Sequence, residues 1–154
     1  YGLCHTSCFS SIEYELPEMA KRCQVSFDFS ERTDPDYLAR VCPYVTYAFF
    51  SGSHMTQEEI EAVMDRCHAL GTKVVGVTLG SRGSIFSEEG KRYHQGIVPV
   101  EAIDTMGAGD SFIAGFLTRR ILGDGMEDAL RFAATAAANT CKFHGGFGYP
   151  HPLD

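Results

Sequence analysis

The chain has 154 residues, 44% of them hydrophobic, which is the size of one domain and enough to bury about two thirds of its unfolded surface. Thirteen basic residues stand against 20 acidic ones, giving a net charge of −7. Because no run of lysine or arginine exceeds a pair, we expect neither nucleic acid nor an anionic membrane as a partner. The apolar runs are short, and residues 1–9 lack the basic start of a signal peptide, so the sequence predicts a soluble cytoplasmic protein.

Six cysteines are scattered without a CxxC pair, which argues against a zinc ribbon or a disulfide scaffold and favours free thiols. The stretch CHTSC holds three side chains that can bind metals, Cys4, His5 and Cys8. On a strand, alternation would place His5 on the opposite face from both cysteines. We therefore assign no metal to this stretch.

Strands and helices alternate over the first 80 residues. The strongest helix is TQEEIEAVMDRCHALG, in which Thr56 and Glu59 form a capping box and Gly71 ends the helix. Two shorter helices are predicted, around residues 13–22 and in DPDYLARVC. The predicted strands are GLCHTSCF, QVSFDFS, VTYAFFS and TKVVGVTLG, the last apolar enough to be buried on both faces of a parallel sheet.

After residue 83 the pattern changes. The stretch GSIFSEEGKRYHQGI carries two extended runs around Glu89–Gly90, which predicts a hairpin. Strand and helix alternation with one antiparallel hairpin predicts a layered α/β fold. Ligands of such sheets bind beyond the carboxyl ends of the strands.

Two helices are predicted in the last third of the chain. The first runs from Asp110 to about Leu122. The second runs from Met126 to about Phe143, with Asp124 and Glu127 as its caps. The Gly- and Pro-rich tail GGFGYPHPLD is predicted to be irregular.

The stretch AIDTMGAGDSFIAGF, residues 102–116, leads a glycine-rich loop into a helix. Gly107, Ala108 and Gly109 would let an anion approach the unpaired N–H groups of the first turn. The helix dipole would favour an ionised Asp110, which could accept a proton from an attacking hydroxyl. This combination suits phosphoryl transfer to an alcohol. The alternative is a tight turn with Asp110 only capping the helix.

DTMGAGDSFIAGF resembles the DTxGAGD signature of the ribokinase-like, or PfkB, carbohydrate kinases, and TLGSRGS resembles that family's TLGxxG element. The resemblance implies a ribokinase-like layered α/β/α sandwich, with a mostly parallel sheet, and an ATP-dependent phosphotransferase. FDFSER and IDTMGAGDSFIAGF are most similar to the fructoselysine 6-kinases, which phosphorylate sugar–amine adducts on the 6-hydroxyl. Fructose, ribose, ketodeoxygluconate and nucleosides remain alternative acceptors.

The resemblance also implies roles for single residues. Asp110 matches the catalytic base, and the N–H groups from Gly107 to Asp110 match the anion hole for the transferred phosphoryl group. The remaining matches are Thr78, Gly80 and Gly83 around the ATP phosphates and ribose, and Asp104 with the Met106 carbonyl at a monovalent cation such as potassium. The alternative for Asp104 is that it only hydrogen-bonds the turn, and the alternative for Thr78 and Gly80 is that they only end a strand.

The magnesium site departs from the family pattern. Many members carry an NxxE motif that organises the magnesium waters, and the matching stretch SGSH has Ser51 and His54 instead. Magnesium itself is still expected, since ATP normally arrives with it bound.

The resemblance covers the whole chain but only the C-terminal half of a family member, without the N-terminal strands, the lid and the di-glycine motif. We therefore expect an exposed edge at GLCHTSCF, and either self-association through it or a longer gene product. A nucleotide-binding half-domain without its own activity is the non-enzyme alternative. A dinucleotide oxidoreductase and a Walker-type NTPase are disfavoured, because neither GxGxxG after the first strand nor GxxxxGK[ST] occurs.

Overall fold

The structure is a computed structural model that describes residues 2–142. These residues belong to two compact units. The first contains the chain up to Gly80 together with Ser84–His94, and the second contains Ser81–Gly83 and the chain from Gln95 onward.

A six-stranded sheet is the centre of the first unit, with the strands in sequence order from β1 to β6. Strands β1, β2, β3 and β4 run parallel to one another, and β5 runs antiparallel to β4. The predicted mostly parallel sheet is thus confirmed. The strands are β1 (Leu3–Ser7), β2 (Gln24–Ser30), β3 (Tyr47–Ser51), β4 (Val74–Thr78), β5 (Ser84–Glu88) and β6 (Lys91–Gln95).

Three helices connect the parallel strands: α1 (Leu16–Arg22), α2 (Pro35–Val41) and α3 (Gln57–Ala69). The capping box of α3 is present, with the Glu59 N–H donating to Thr56 Oγ1 at 3.2 Å and the Thr56 N–H donating to Glu59 Oε2 at 2.9 Å. None of the helices of residues 2–142 is long and apolar enough to cross a membrane.

The core of the first unit lies on one face of the sheet. Consecutive right-handed crossovers between neighbouring parallel strands bring their helices to the same side. Phe29 stacks on Phe50 with ring centroids 4.7 Å apart and meets Tyr37 of α2 edge-on at 6.0 Å. The helices thus pack on alternate strand residues, among them Val25, Phe27, Ala48, Val75, Val77 and Ile85.

The other face of the sheet has a close contact between a glycine and an aromatic ring. Gly76 of β4 pairs with Phe86 of β5, and an added Cβ at Gly76 would lie 2.3 Å from the Phe86 ring. Phe86 in turn meets Phe49 of β3 at 5.9 Å. Gly76 is therefore required by packing, in the strand predicted to be buried on both faces.

The predicted hairpin is confirmed. Glu89 and Gly90 join β5 to β6 with φ angles of 51° and 77°, which are the left-handed conformations of a two-residue type I′ turn. Glycine suits the second position because it has no Cβ to strain there.

A polar network fixes this hairpin to α3. Arg92 donates to Glu61 Oε2 from Nε at 2.9 Å and from Nη2 at 2.8 Å, and to Ser87 Oγ from Nη1. The Ser87 hydroxyl lies 2.7 Å from His68 Nε2, and His68 Nδ1 lies 2.8 Å from the Thr72 carbonyl oxygen. Because a carbonyl only accepts, His68 Nδ1 carries a proton and donates to Thr72.

The second unit contains helices α4 (Ala108–Ile121) and α5 (Met126–Thr140). They pack closely at Gly115, where an added Cβ would lie 3.3 Å from both Ala133 Cα and Ala136 Cβ. Helix α4 begins two residues before the predicted Asp110, and the predicted end of α5 at Phe143 lies outside the described residues, as does the tail GGFGYPHPLD.

The predicted cap of α5 is wrong. Gly125 occupies the N-cap position, and no side chain caps the helix there. Asp124 instead accepts a hydrogen bond from Arg119 Nε at 2.6 Å, because the turn between the helices brings it back to the end of α4.

Replacing Gly76 with alanine should destabilise the chain by about 2 kcal/mol, the usual cost of an overpacked core. Alanine in a strand interior normally stabilises by about 0.5–1 kcal/mol relative to glycine, so the sign of the change tests the contact with Phe86. Urea unfolding of Gly76→Ala measures it. Gly96→Ala is the control, since its Cβ would meet nothing within 4 Å. Adding Phe86→Leu should restore part of the loss, and an unchanged midpoint for Gly76→Ala would contradict the packing.

The ion pair of Arg92 and Glu61 predicts a pH-dependent contribution to stability. The hydrogen bond from Arg92 lowers the pKa of Glu61 below its ordinary value of 4.5. The ion pair therefore stabilises the fold above pH 4.5, and this stabilisation is lost as the pH falls through the lower pKa of the folded state. Glu61→Gln should cost about 0.5 kcal/mol at pH 7, and this difference should shrink below about pH 4. Unfolding curves across that range measure it, with Glu101→Gln as a surface control. A pH-independent difference would contradict the ion pair.

Candidate active site

The loop before α4 turns through a left-handed residue. Gly107 is the N-cap of α4, with φ at 77°, and its carbonyl accepts the first helical hydrogen bond from the Ser111 N–H at 2.9 Å. No side chain caps the helix at this position. A residue with a Cβ would be strained in this conformation, so the glycine follows from the backbone of the turn.

The backbone donors of the first turn differ in their availability. The Ala108 N–H already donates to the Thr105 carbonyl at 3.2 Å. Gly109 and Asp110 follow in the first turn, where the helix offers their N–H groups no carbonyl partner. Among residues 2–142, a Cβ added at Gly109 would meet no atom within 4 Å outside its own helix backbone and chain neighbours, so these residues leave the approach to this turn open. An anion at this turn would accept hydrogen bonds from the N–H groups of Gly109 and Asp110, and it would share the Ala108 N–H with the Thr105 carbonyl.

Asp110 is the third residue of α4 and its side chain is exposed. Within residues 2–142, its carboxylate makes no hydrogen bond or ion pair. It is neither buried against a lysine nor used to cap the helix, because Gly107 takes the N-cap position. A carboxylate in this position can accept a proton from a hydroxyl group that approaches the first turn.

Asp104 holds the loop that leads to Gly107. Its Oδ1 accepts from the Met106 N–H at 2.9 Å, and its own N–H donates to the Cys141 carbonyl at 3.1 Å. Both Asp104 and the carbonyl of the exposed Met106 provide oxygen ligands of the kind that a hard cation prefers. One of the Asp104 oxygens, Oδ1, already takes part in the hydrogen bond that forms this turn.

The TLGSRG stretch has its own geometric requirements. Thr78 Oγ1 donates to the Phe50 carbonyl at 3.3 Å, which fixes the end of β4. Gly80 has a φ of 60°, and Gly83 has a φ of 86° with its missing Cβ 2.0 Å from the Gln95 carbonyl oxygen. Gly83 is thus explained by its close packing against the end of β6, whether or not a nucleotide binds.

A row of three hydroxyl side chains lies at the carboxyl end of the parallel strands. Ser51 of β3 is paired with Thr78 of β4, and Thr78 with Ser84 of β5. Ser84 is 3% exposed, and its Oγ is without a hydrogen-bond partner among the residues that the structure describes. Sequence reasoning missed Ser84, since only the register of the antiparallel pair places it beside Thr78.

The residues at the NxxE positions do not fit a direct magnesium site. Ser51 ends β3 with one neutral hydroxyl oxygen, and His54 offers a ring nitrogen, whereas magnesium prefers carboxylate and water oxygens. His54 Nδ1 lies 3.9 Å from the Glu31 carboxylate. Neither position replaces the asparagine and glutamate of the family pattern.

The predicted residues thus form two groups. Thr78 and Gly80 belong to the first unit, at the end of β4. Gly83 and residues 104–110 belong to the second unit, where Asp104, Gly107 and Asp110 lie in one continuous turn.

Solved structures show that the fold is ribokinase-like. Arabidopsis thaliana ribokinase complexed with ribose and ATP superposes with a TM-score of 0.81 at 28% identity, covering 93% of this chain and 50% of that one. A ribokinase II from E. coli in complex with ATP and Mg²⁺ gives a TM-score of 0.80 at 22% identity, covering 94% and 53%. The fold class is therefore that of the ribokinase-like α/β kinases.

Sequence comparison defines the family. The model of the pfkB family of carbohydrate kinases matches residues 18–150, so the chain belongs to that family. Fructosamine kinase FrlD of Bacillus subtilis is 49% identical over 152 residues, covering 99% of this chain and 54% of its own length. Fructoselysine 6-kinase of Escherichia coli is 34% identical over 148 residues, covering 96% and 56%. The chain spans about half the length of these relatives.

Two glycines of the loop should respond in opposite directions to alanine. Gly107→Ala forces a Cβ into the left-handed region and should cost about 1 kcal/mol, whereas Gly109→Ala, in open space on a helix, should stabilise by about 0.5 kcal/mol. Denaturant unfolding of both variants measures the two changes. Equal effects would contradict the assignment of Gly107 as the left-handed N-cap.

Proposed function

We propose that the chain is the nucleotide-binding part of an ATP-dependent carbohydrate kinase that transfers the γ-phosphoryl group to the 6-hydroxyl of a fructosamine such as fructoselysine. The observation that carries the proposal is the position of Asp110. It is exposed at the third residue of α4, the helix that begins directly after the left-handed N-cap Gly107. The choice of a fructosamine rests on the two fructosamine-type kinases among the relatives.

In this proposal, the reaction runs at the first turn of α4. The carboxylate of Asp110 takes the proton of the sugar hydroxyl while the hydroxyl oxygen attacks the γ-phosphorus, and ADP leaves with the bridging oxygen. The N–H groups of Gly109 and Asp110 face the transferred phosphoryl group, and the partial positive charge of the helix terminus stabilises its oxygens. No covalent enzyme intermediate is required.

The cofactors follow from the same proposal. ATP binds with Thr78, Gly80 and Gly83 beside its phosphates and ribose, and brings its own Mg²⁺, since Ser51 and His54 are poor direct ligands. Asp104 and the Met106 carbonyl are the proposed ligands of a potassium ion. Because ATP is a cytoplasmic substrate, we also infer a cytoplasmic location.

A second candidate is a half-domain that binds ATP but turns over no sugar. β1 lies at an edge of the six-stranded sheet that the described residues form. An unpaired strand edge invites another chain, so we propose self-association through β1. A strictly monomeric chain in light scattering would contradict that association.

Asp110→Asn should lower sugar phosphorylation by at least about 100-fold, because the amide cannot accept the proton. ATP binding should be unchanged within about twofold, since the backbone of the turn is retained. Coupled ADP release with fructoselysine, fructose and ribose measures the first effect, and titration calorimetry measures the second. The polypeptide for this assay includes the N-terminal segment that the relatives add.

The matched control is Asp128→Asn, which alters the third residue of α5 in the same way. This variant should keep full activity. Retained turnover in Asp110→Asn would end the assignment of Asp110 as base. ATP binding without turnover of any sugar by the 154-residue chain, assayed in parallel, would favour the half-domain candidate.

A further inference from the structure

Two cysteine side chains of the first unit are in direct contact. The Sγ atoms of Cys4, in β1, and Cys23, directly after α1, lie 3.1 Å apart. Both side chains are partly exposed, and all six cysteines of the chain are free thiols. The separation is about 1 Å longer than the roughly 2.05 Å of a disulfide bond.

The β1–α1–β2 connection brings the two thiols together. Gln24 pairs with Leu3 in the parallel register, and the Gln24 N–H donates to the Gly2 carbonyl at 3.3 Å. Cys23 therefore enters the sheet beside the first residues of β1. Its backbone is extended, with φ at −154° and ψ at 167°, so neither a helical turn nor a left-handed residue has to change for the sulfurs to approach.

We propose that Cys4 and Cys23 are a redox-sensitive thiol pair that closes to a reversible disulfide when a peroxide or a low-molecular-weight disulfide oxidises it. This inference is independent of the proposed kinase activity, because it uses only the contact between β1 and the end of α1.

The oxidation balances with a peroxide as the two-electron acceptor. One thiol ionises and its thiolate attacks a peroxide oxygen, so that an S–O bond forms and the O–O bond breaks, and the leaving hydroxide takes up the thiol proton to become water. The second thiol then ionises and its thiolate attacks the sulfenic sulfur, so that the S–S bond forms and the S–O bond breaks, and the second hydroxide leaves as water with that thiol's proton. In sum, two thiols and hydrogen peroxide give one disulfide and two waters. With a disulfide oxidant, two thiol–disulfide exchanges give the same product and two small thiols.

The other thiols of the chain lack this combination of contact and access. Cys42 and Cys67 lie 3.7 Å apart but are both buried in the core, where contact with Cys42 and burial raise the pKa of Cys67 far above its ordinary range. Cys8 donates to the Phe29 carbonyl at 3.3 Å and has no sulfur partner in the described part of the chain. An oxidant in solution should therefore reach Cys4 and Cys23 first.

A metal does not explain the pair. His5 points to the opposite face of β1, where its Nδ1 lies 2.9 Å from Ser26 Oγ. In the described range, residues 2–142, no three histidine, cysteine, aspartate or glutamate side chains come together as a metal site. The two thiols thus remain a dithiol rather than half of a zinc centre.

Closing the disulfide would tie the start of β1 to the end of α1. A cross-link of this kind restricts the unfolded chain, so the oxidised protein should unfold at a higher Tm than the reduced protein.

The test is oxidation of the chain with hydrogen peroxide and, separately, with glutathione disulfide, followed by alkylation and non-reducing peptide mapping. We expect a Cys4–Cys23 linked peptide, a loss of two of the six free thiols, recovery with a reductant and a higher Tm. Cys4→Ser and Cys23→Ser should each abolish both the linked peptide and the shift in Tm.

Cys8→Ser is the matched control and should form the linked peptide as readily as the unaltered chain. Absence of a Cys4–Cys23 peptide under conditions that oxidise other thiols would overturn the proposal. So would a first product that joins Cys8 or the pair Cys42 and Cys67, or that joins two chains. Because the serine variants keep the size of the side chain, their folding can be checked by the reduced-state Tm.

Discussion

The left-handed backbone at Gly107 is the constraint on which the candidate site depends. It turns the chain so that α4 starts with open N–H groups, while Asp104 holds the preceding loop through the Met106 N–H. Asp110 then follows at the third helical position with its carboxylate exposed. The proposed anion binding and proton acceptance would thus come from one continuous stretch, which needs no long-range contact to place the two groups side by side.

The glycines of this chain are present for different physical reasons. Gly83 is required by the Gln95 carbonyl, which occupies the place of its Cβ, and Gly76 is required by the Phe86 ring. Gly109, by contrast, has open space around it, so no contact within the described residues demands a glycine there. Its small size matters only if a ligand approaches, which makes Gly109 the more informative position for the proposed phosphate contact.

Much of the fold could be predicted from the sequence because its signals are local. The capping box of α3, the Glu89–Gly90 turn and the limits of β2 depend on neighbours within a few residues. The predicted side-chain cap of α5 is wrong, because Asp124 accepts a hydrogen bond from Arg119 across the turn between the helices. Three features could not be predicted: the hydroxyl row at Ser84, the contact between Cys4 and Cys23, and the division into two compact units. They depend on strand register and on contacts between residues distant in the sequence, which composition and periodicity do not encode.

The order of the strands has a consequence for how the chain folds. Strands β1 to β4 pair in sequence order, yet each parallel pair joins residues about 20 to 27 positions apart, as Leu3 with Gln24 and Tyr47 with Val74. Such pairing must close a loop first and is slower than hairpin formation, while domains commonly form from the N-terminus during synthesis. The sheet ends at Gln95, so it can assemble on the ribosome before the proposed phosphate-binding turn and Asp110 have been translated.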